Sequence, residues 1–355
     1  ISLAAFTTEG NLTLTTTAAI ALAGHTVNGI LTVTSGNAIT QTAALTVTGT
    51  SSFTTNVIDK AITLSTATNA FTGAVSFTTL HDGTAANVNI NNGTTNLIFG
   101  LSDIHGTLTA TTGGTITQTG ALTVKGTSSF TTSVTNKVIT LSTTTNALTG
   151  AVTFTTVAGG SSHVTFDNGT TALTLGTSAI YGNLSVTCGN TIAQSGALTV
   201  SGTSVFYTDL ANYAITLSTT TNALTGAVSA TTTGTGDFTL DNGTTALNLG
   251  TISIGRNLLV TCGAAITDSG VLTVGGTSGF TTDISDRAIT LDSSNALTGA
   301  ITFTTVGTVA HITLNNGSTA ISLAAFTTEG NLTLTTDAAI ALAGHTVNGI
   351  LTVTS

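Results

Sequence analysis

The sequence predicts an all-β parallel solenoid, on three observations. A repeat of about 75 residues runs through the chain, its strands are short and alternate aliphatic residues with threonine, and the separators are Gly, Asn, Ser and Asp. The repeat carries most of the argument, because self-similarity at a fixed period is the signature of arrays and solenoids. GNAITQTAALTVTGTSSFTT begins at Gly36 and returns in related form from Gly113, Gly189 and Gly263, so that successive starts are separated by 77, 76 and 74. Each copy continues in one order. An ITL strand (Ile62, Ile139, Ile215, Ile289) precedes N-A-[LF]-T-G (Asn69, Asn146, Asn222, Asn295), and then comes [DN]-N-G-[TS]-T from Asn91, Asp167, Asp241 and Asn315.

A longer period lies on top. Residues 321–355 duplicate residues 1–35 with one change, Thr17 becoming Asp337, at an offset of 320. Four short repeats fill that offset except for one short piece, which carries Ile20 to Ile39. An insertion tolerated inside an array is most simply one whole turn. A turn of about 19 residues also divides the repeat into four, giving about seventeen turns, or ~80 Å at ~4.8 Å each, per long period. Three longer turns per repeat is the alternative. Residues 1–355 thus read as a single continuous solenoid. Ile1 and Ser355 both fall mid-pattern, and the chain contains no methionine, so it reads as a processed product or an excerpt whose ends are interior turns.

The strands follow from local chemistry. In Leu122-Thr123-Val124 and Ile139-Thr140-Leu141 a period of two puts aliphatics on one face and threonine on the other. Leu122, Val124, Phe130, Ile139 and Leu141 are therefore expected in the core, with Phe53, Phe130, Phe206 and Phe280 in an inward column. Gly, Asn, Ser and Asp supply the turns through positive φ or side-chain caps. Parallel coiling lets each turn cover its neighbour's apolar face. A propeller would need blades of about 40–50 residues with their own aromatic signature.

Composition excludes several functions. Hydrophobic residues make up 40% and charged residues 5%, so the chain has a core but few ionic contacts. Fourteen acids oppose five bases, Lys60, Lys125, Lys137, Arg256 and Arg287, for a net charge of −9. Nucleic acid and anionic membranes both need clustered Lys and Arg. No apolar run approaches the ~20 residues of a membrane helix.

Reactive side chains form no recognisable constellation. Cys188 and Cys262 share a motif position with Thr112 and Thr336, so they read as thiols filling a threonine slot. Four turns apart they would be ~19 Å from one another, beyond the about 7 Å a disulfide spans. His25, His81, His105, His163, His311 and His345 lack metal-ligand spacing and read as solvated or turn residues. Asp167-Asn168-Gly169 and Asp241-Asn242-Gly243 suggest calcium until Asn91 and Asn315 remove the carboxylate from the other copies. Lys60, Lys137 and Arg287, with Tyr213 in the remaining copy, share a site before the ITL strand and read as solvated charges near a turn. The expectation is no catalytic, cofactor or metal site and no enzyme activity.

The pattern G-x-I-T-Q-x-G-A-L-T-V-x-G, from Gly113 to Gly126 and its copies, resembles the repeats of filamentous-haemagglutinin-like and autotransporter-type surface proteins. Those are exported by Gram-negative bacteria, and some are giant. The resemblance implies a right-handed parallel β-helix, an extracellular or cell-surface location, and adhesion or cell–cell contact. The leading expectation is a structural filament or stalk of a giant adhesin. Its partners would be continuing repeats or adjacent copies end to end, with another cell surface or a glycan beyond. The alternative is a ligand-binding solenoid that meets ice or polysaccharide through outward Thr-x-Thr arrays.

Overall fold

Every described strand pair is parallel, as a coil of short alternating strands requires. The computed structural model describes residues 2–80, 86–342 and 344–355 and divides into two compact units, 1–182 and 183–355. Each is an all-β parallel β-solenoid, without helices among the described residues, consistent with the right-handed parallel β-helix.

In the first unit one sheet runs through Ile20–Leu22, Ile39–Gln41, Ile62–Leu64, Val88–Asn91, Leu108–Thr112, Ser128–Thr135 and Val152–Val157. The opposing sheet runs through Leu12–Thr16, Leu31–Ser35, Ser51–Ile58, Val75–Leu80, Leu97–Phe99, Ile116–Gln118, Ile139–Leu141 and Val164–Asp167. That makes eight turns, and the corresponding sheet of the second unit has nine strands, from Leu184–Cys188 to Leu351–Thr354.

The core is the one the alternation predicts. Leu122, Val124, Phe130, Ile139 and Leu141 are all fully buried, with threonine between them facing out. Phe53, Phe77, Phe99, Phe130, Phe154 and Phe166 stack along the axis of the first unit with centroids 5.3–6.4 Å apart. The column is thus richer in aromatic rings than one phenylalanine per repeat.

The short inserted piece is one turn: Thr7 pairs with Thr26, Leu12 with Leu31 and Ile20 with Ile39. The duplicated segment keeps that register, Thr327 with Thr346 and Leu332 with Leu351. Other turns are longer, so a uniform turn length does not hold. Ser51 pairs with Val75 and Ile62 with Val88, where the inserted turn carries Ile20 only as far as Ile39. Part of the extra length in the Ser51 to Val75 turn is a side excursion. Ser51–Ile58 runs past the end of Leu31–Ser35, leaving Asn56, Val57 and Ile58 exposed, and turns back at Asp59. Asp59, Asn136, Asn212 and Asp286 occupy this position in the four copies, all at positive φ between 57° and 72°. Aspartate and asparagine tolerate that region better than other residues with a Cβ.

Because turns of unequal length follow one another, a repeat spans three and a half turns, not four. Ile39 lies in one sheet of the first unit and its counterpart Ile116 in the opposite sheet. Ile192 and Ile266 divide in the same way in the second unit. Copies of a motif therefore alternate between faces, where equal turns would have placed them all on one.

Candidate functional site

The most chemically specific residues of the repeat serve the coil itself. Asn146 is buried, and its Oδ1 accepts from the Leu122 amide at 2.9 Å and from Gln118 Nε2 at 2.8 Å. Its Nδ2 donates to Gln118 Oε1 at 3.0 Å and to the Asp167 carbonyl at 2.9 Å. Gln41–Asn69 and Gln194–Asn222 repeat the amide pair. In the fourth copy Asp268 replaces glutamine and accepts from Asn295 Nδ2 at 2.8 Å. Burial pushes the Asp268 carboxyl up from its ordinary range, and hydrogen bonds from Asn295, Ser293 and Asp292 oppose that rise.

The D-N-G motif does two jobs. Its first residue caps the turn: Asp167 and Asp241 accept from the Gly169 and Gly243 amides at 2.7 and 2.8 Å, and Asn91 and Asn315 do the same for Gly93 and Gly317. Its second residue, named in the sequence only as part of that turn motif, is the structural one. Asn92, Asn168, Asn242 and Asn316 have no exposed surface. Asn168 Oδ1 accepts from the Leu148 amide at 2.9 Å while Nδ2 donates to the Leu148 carbonyl at 3.1 Å. The side-chain amide thereby replaces a missing β-partner for one residue of the adjacent turn. The signal was present in the sequence, since this asparagine is identical in all four copies while its neighbour varies.

The basic residues do not converge. Lys60 leads into one sheet of the first unit and Lys137 into the other; Tyr213 and Arg287 divide likewise in the second. The backbone around them is tied down, with Thr55 Oγ1 donating to the Lys60 carbonyl and Thr282 Oγ1 to that of Arg287, both at 3.2 Å. Lys125 follows Leu122–Val124 on the exposed surface.

Cys188 and Cys262 are buried and in no disulfide. Cys262 Sγ donates to the Thr245 carbonyl at 2.9 Å, as Thr112 Oγ1 does to Thr95 and Thr336 Oγ1 to Thr319. The thiol thus fills a threonine slot, and burial raises its pKa. The histidines differ among themselves. His25 is not solvated: it is 1% exposed, packed against Phe6 with ring centroids 4.5 Å apart and the planes tilted by 44°, with no hydrogen-bond partner at either ring nitrogen. Burial lowers its pKa, which favours the neutral ring. His311 Nδ1 accepts from the Asn331 amide at 3.0 Å, and His105 lies 3.6 Å from Asp103. His81 lies outside the described residues. Among the described residues no three His, Cys, Asp or Glu side chains are placed to hold a metal.

Outside the core the first unit presents stacked hydroxyls. Thr13 and Thr15 stack on Thr32 and Thr34, these on Ser52 and Thr54, and these on Ser76 and Thr78. Four successive rungs are thus in register, more regular than the sequence spacing suggests, because the register absorbs the unequal turn lengths.

Fold and motifs together define a tandem-repeat β-solenoid, whose most specific side chains hold one turn to the next. A family of repeats of unknown function (DUF5649) matches residues 3–78, 85–155, 161–231 and 235–304, and the chain belongs to that family. No curated protein and no solved structure matches it.

Proposed function

We propose that the protein is a structural shaft: the filament or stalk of a giant bacterial adhesin, outside the cell, with no enzyme activity of its own. The observation that carries this reading is the inserted turn. It enters in perfect ladder register, Leu12 on Leu31 and Ile20 on Ile39, so length is added without disturbing a neighbour. On this reading the two units are one coil, and continuing repeats or adjacent copies stack end to end. The low charge and the threonine-rich faces suit a surface that meets neighbouring cells or glycans rather than nucleic acid or bilayer interiors. A long period of about fifteen turns would then add ~70 Å of length. Electron microscopy of chains carrying one and two periods tests this. A contour increment near that value supports the shaft, and particles that double in width instead of length refute it. Surface labelling of intact cells with an antibody tests the location.

A second reading rests on the four stacked hydroxyl rungs. An even grid of methyls and hydroxyls on a sheet face matches a repeating solid such as ice or an insoluble polysaccharide. Thermal hysteresis, or co-sedimentation with cellulose or chitin that is lost on Thr32→Lys and Thr54→Lys substitution, supports that reading, and the absence of both rejects it.

A further inference from the structure

A repeat protein carries its own controls, since each position can be compared with its counterparts in other copies. In the second unit five departures from the repeat fall at one place. Arg256 stands where the other copies have Gly106, Gly182 and Gly330, and Asp237 stands where they have Asn87, His163 and His311. Leu259 replaces Thr109, Ser185 and Thr333, Gly279 replaces Ser52, Ser129 and Val205, and Gly236 replaces Ala86, Ser162 and Ala310.

These changes lie against one another. A Cβ at Gly106 or Gly330 would lie 2.4–2.6 Å from the backbone of Ala86 or Ala310 one turn below. At Arg256 the residue below is Gly236, whose carbonyl accepts from the Arg256 amide at 3.3 Å. The Arg256 guanidinium pairs in a fork with the Asp237 carboxylate through Nε and Nη2. Asp237 also accepts from the Asn257 amide at 2.9 Å, which fixes the carboxylate. One turn above, Leu259 stands 48% exposed on the outer face. Beside it Gly279 has no side chain, and the row of outward side chains is interrupted between Leu259 and Thr302. The result is an open groove of about 480 Å³ lined by Asp237, Asn257, Leu259, Thr277, Gly279 and Thr302.

The lining chooses a ligand class. The cation beside the groove, Arg256, is engaged by Asp237, so an anion meets no unneutralised positive charge among the lining residues. Hydroxyl, amide and carboxylate groups surround one aliphatic step, which suits a molecule with polar edges and a C–H face. We propose that the groove across Gly279 binds a neutral saccharide segment, its ring face on Leu259 and its hydroxyls on Asp237, Asn257 and the threonines. The site rests on the adhesive reading and deepens it by naming a ligand class. It is separable from the shaft, because it arises where the regular rungs are broken.

The test uses the full chain with cello-, manno-, galacto- and chito-tetraose and, as anionic comparators, oligogalacturonate and sialyllactose. Binding is followed by saturation-transfer NMR and calorimetry up to about 10 mM, the weak end for an open site. At least one neutral tetraose is expected to bind. Gly279→Val, the residue of Val205, should weaken it by about tenfold or more, and Gly279→Ser by less. Both substitutions use residues the other copies carry, and the Cβ would meet the Leu259 side-chain tip at 3.1 Å, which can move aside, so the fold is retained. Circular dichroism and the contour length of the shaft should be unchanged. Failure of every neutral tetraose to bind, preference for either anionic sugar, or equal binding by Gly279→Val overturns the site while leaving the shaft reading to its own measurement.

Discussion

Asn168→Ala removes the acceptor of the Leu148 amide and the donor to the Leu148, Thr171 and Ala172 carbonyls. The site is fully buried, so water cannot replace these bonds without opening the turn. An orphaned buried amide costs about 1–3 kcal/mol, and the lost side-chain volume adds to it. The expected destabilisation is about 3 kcal/mol, concentrated in the adjoining turns because a solenoid is stabilised by nearest neighbours. Hydrogen exchange at the Leu148 amide reads this directly and should accelerate by about a hundredfold, at about 1.4 kcal/mol per decade. Asn168→Asp sharpens the test. It keeps the acceptor but turns a carboxylate toward three carbonyls, so its folded-state pKa must rise above the unfolded value of about 3.9. The penalty is absent below that unfolded value and grows as pH rises toward the folded one. The substitution should thus be worse than alanine at pH 7 and recover in acid. If Leu148 protection in Asn168→Ala stays within about threefold of the parent, the amide is not acting as a β-partner.

Three further outcomes are expected. Asp268→Gln restores the residue of Gln41, Gln118 and Gln194; since burial raises the Asp268 pKa, the parent should gain stability as pH falls from neutral through that raised pKa, and the variant should be more stable at pH 7 and lack the acid-side gain in urea titrations. Asn136→Val forces a β-branched residue to a φ of 57° and should cost about 1–2 kcal/mol in the same titration, whereas Asn136→Gly should be near neutral. Deleting residues 20–38 removes one turn in register and should leave the circular dichroism per residue unchanged, while deleting half that length from the same place should abolish cooperative unfolding.

Much of the coil was legible because alternation and period are written locally. Leu122 and Val124 announce their burial by flanking threonine, and the Ile20 to Ile39 interval announced a turn because the simplest insertion an array tolerates is one whole turn. Cys262 was readable as a threonine substitute from its alignment with Thr112. What escaped depends on contacts between turns. The half-turn offset sums several small local excesses, one of them the overshoot past Thr55 to a left-handed Asp59, and together they carry the next copy of a motif to the opposite sheet. Asn168 looked like a turn residue because its neighbour Asp167 is one, and its own partner, Leu148, lies on another turn. His25 gave no hint of burial, since nothing near it in sequence says that Phe6 will cover it. The groove at Gly279 draws on residues spread from 236 to 302, which only the stacking brings together.

The half-turn also sets a rule of parity for lengthening such a coil. A duplication that adds one repeat would rotate everything after it by half a circumference, sending each excursion such as that at Asp59 to the other side. Adding two repeats, or one whole turn like that from Ile20 to Ile39, leaves every downstream face where it was. On the proposed reading of the two units as one coil, the long period, four repeats and one whole turn, would make an integral number of revolutions. Growth by that unit would then preserve which side of the molecule each surface feature faces.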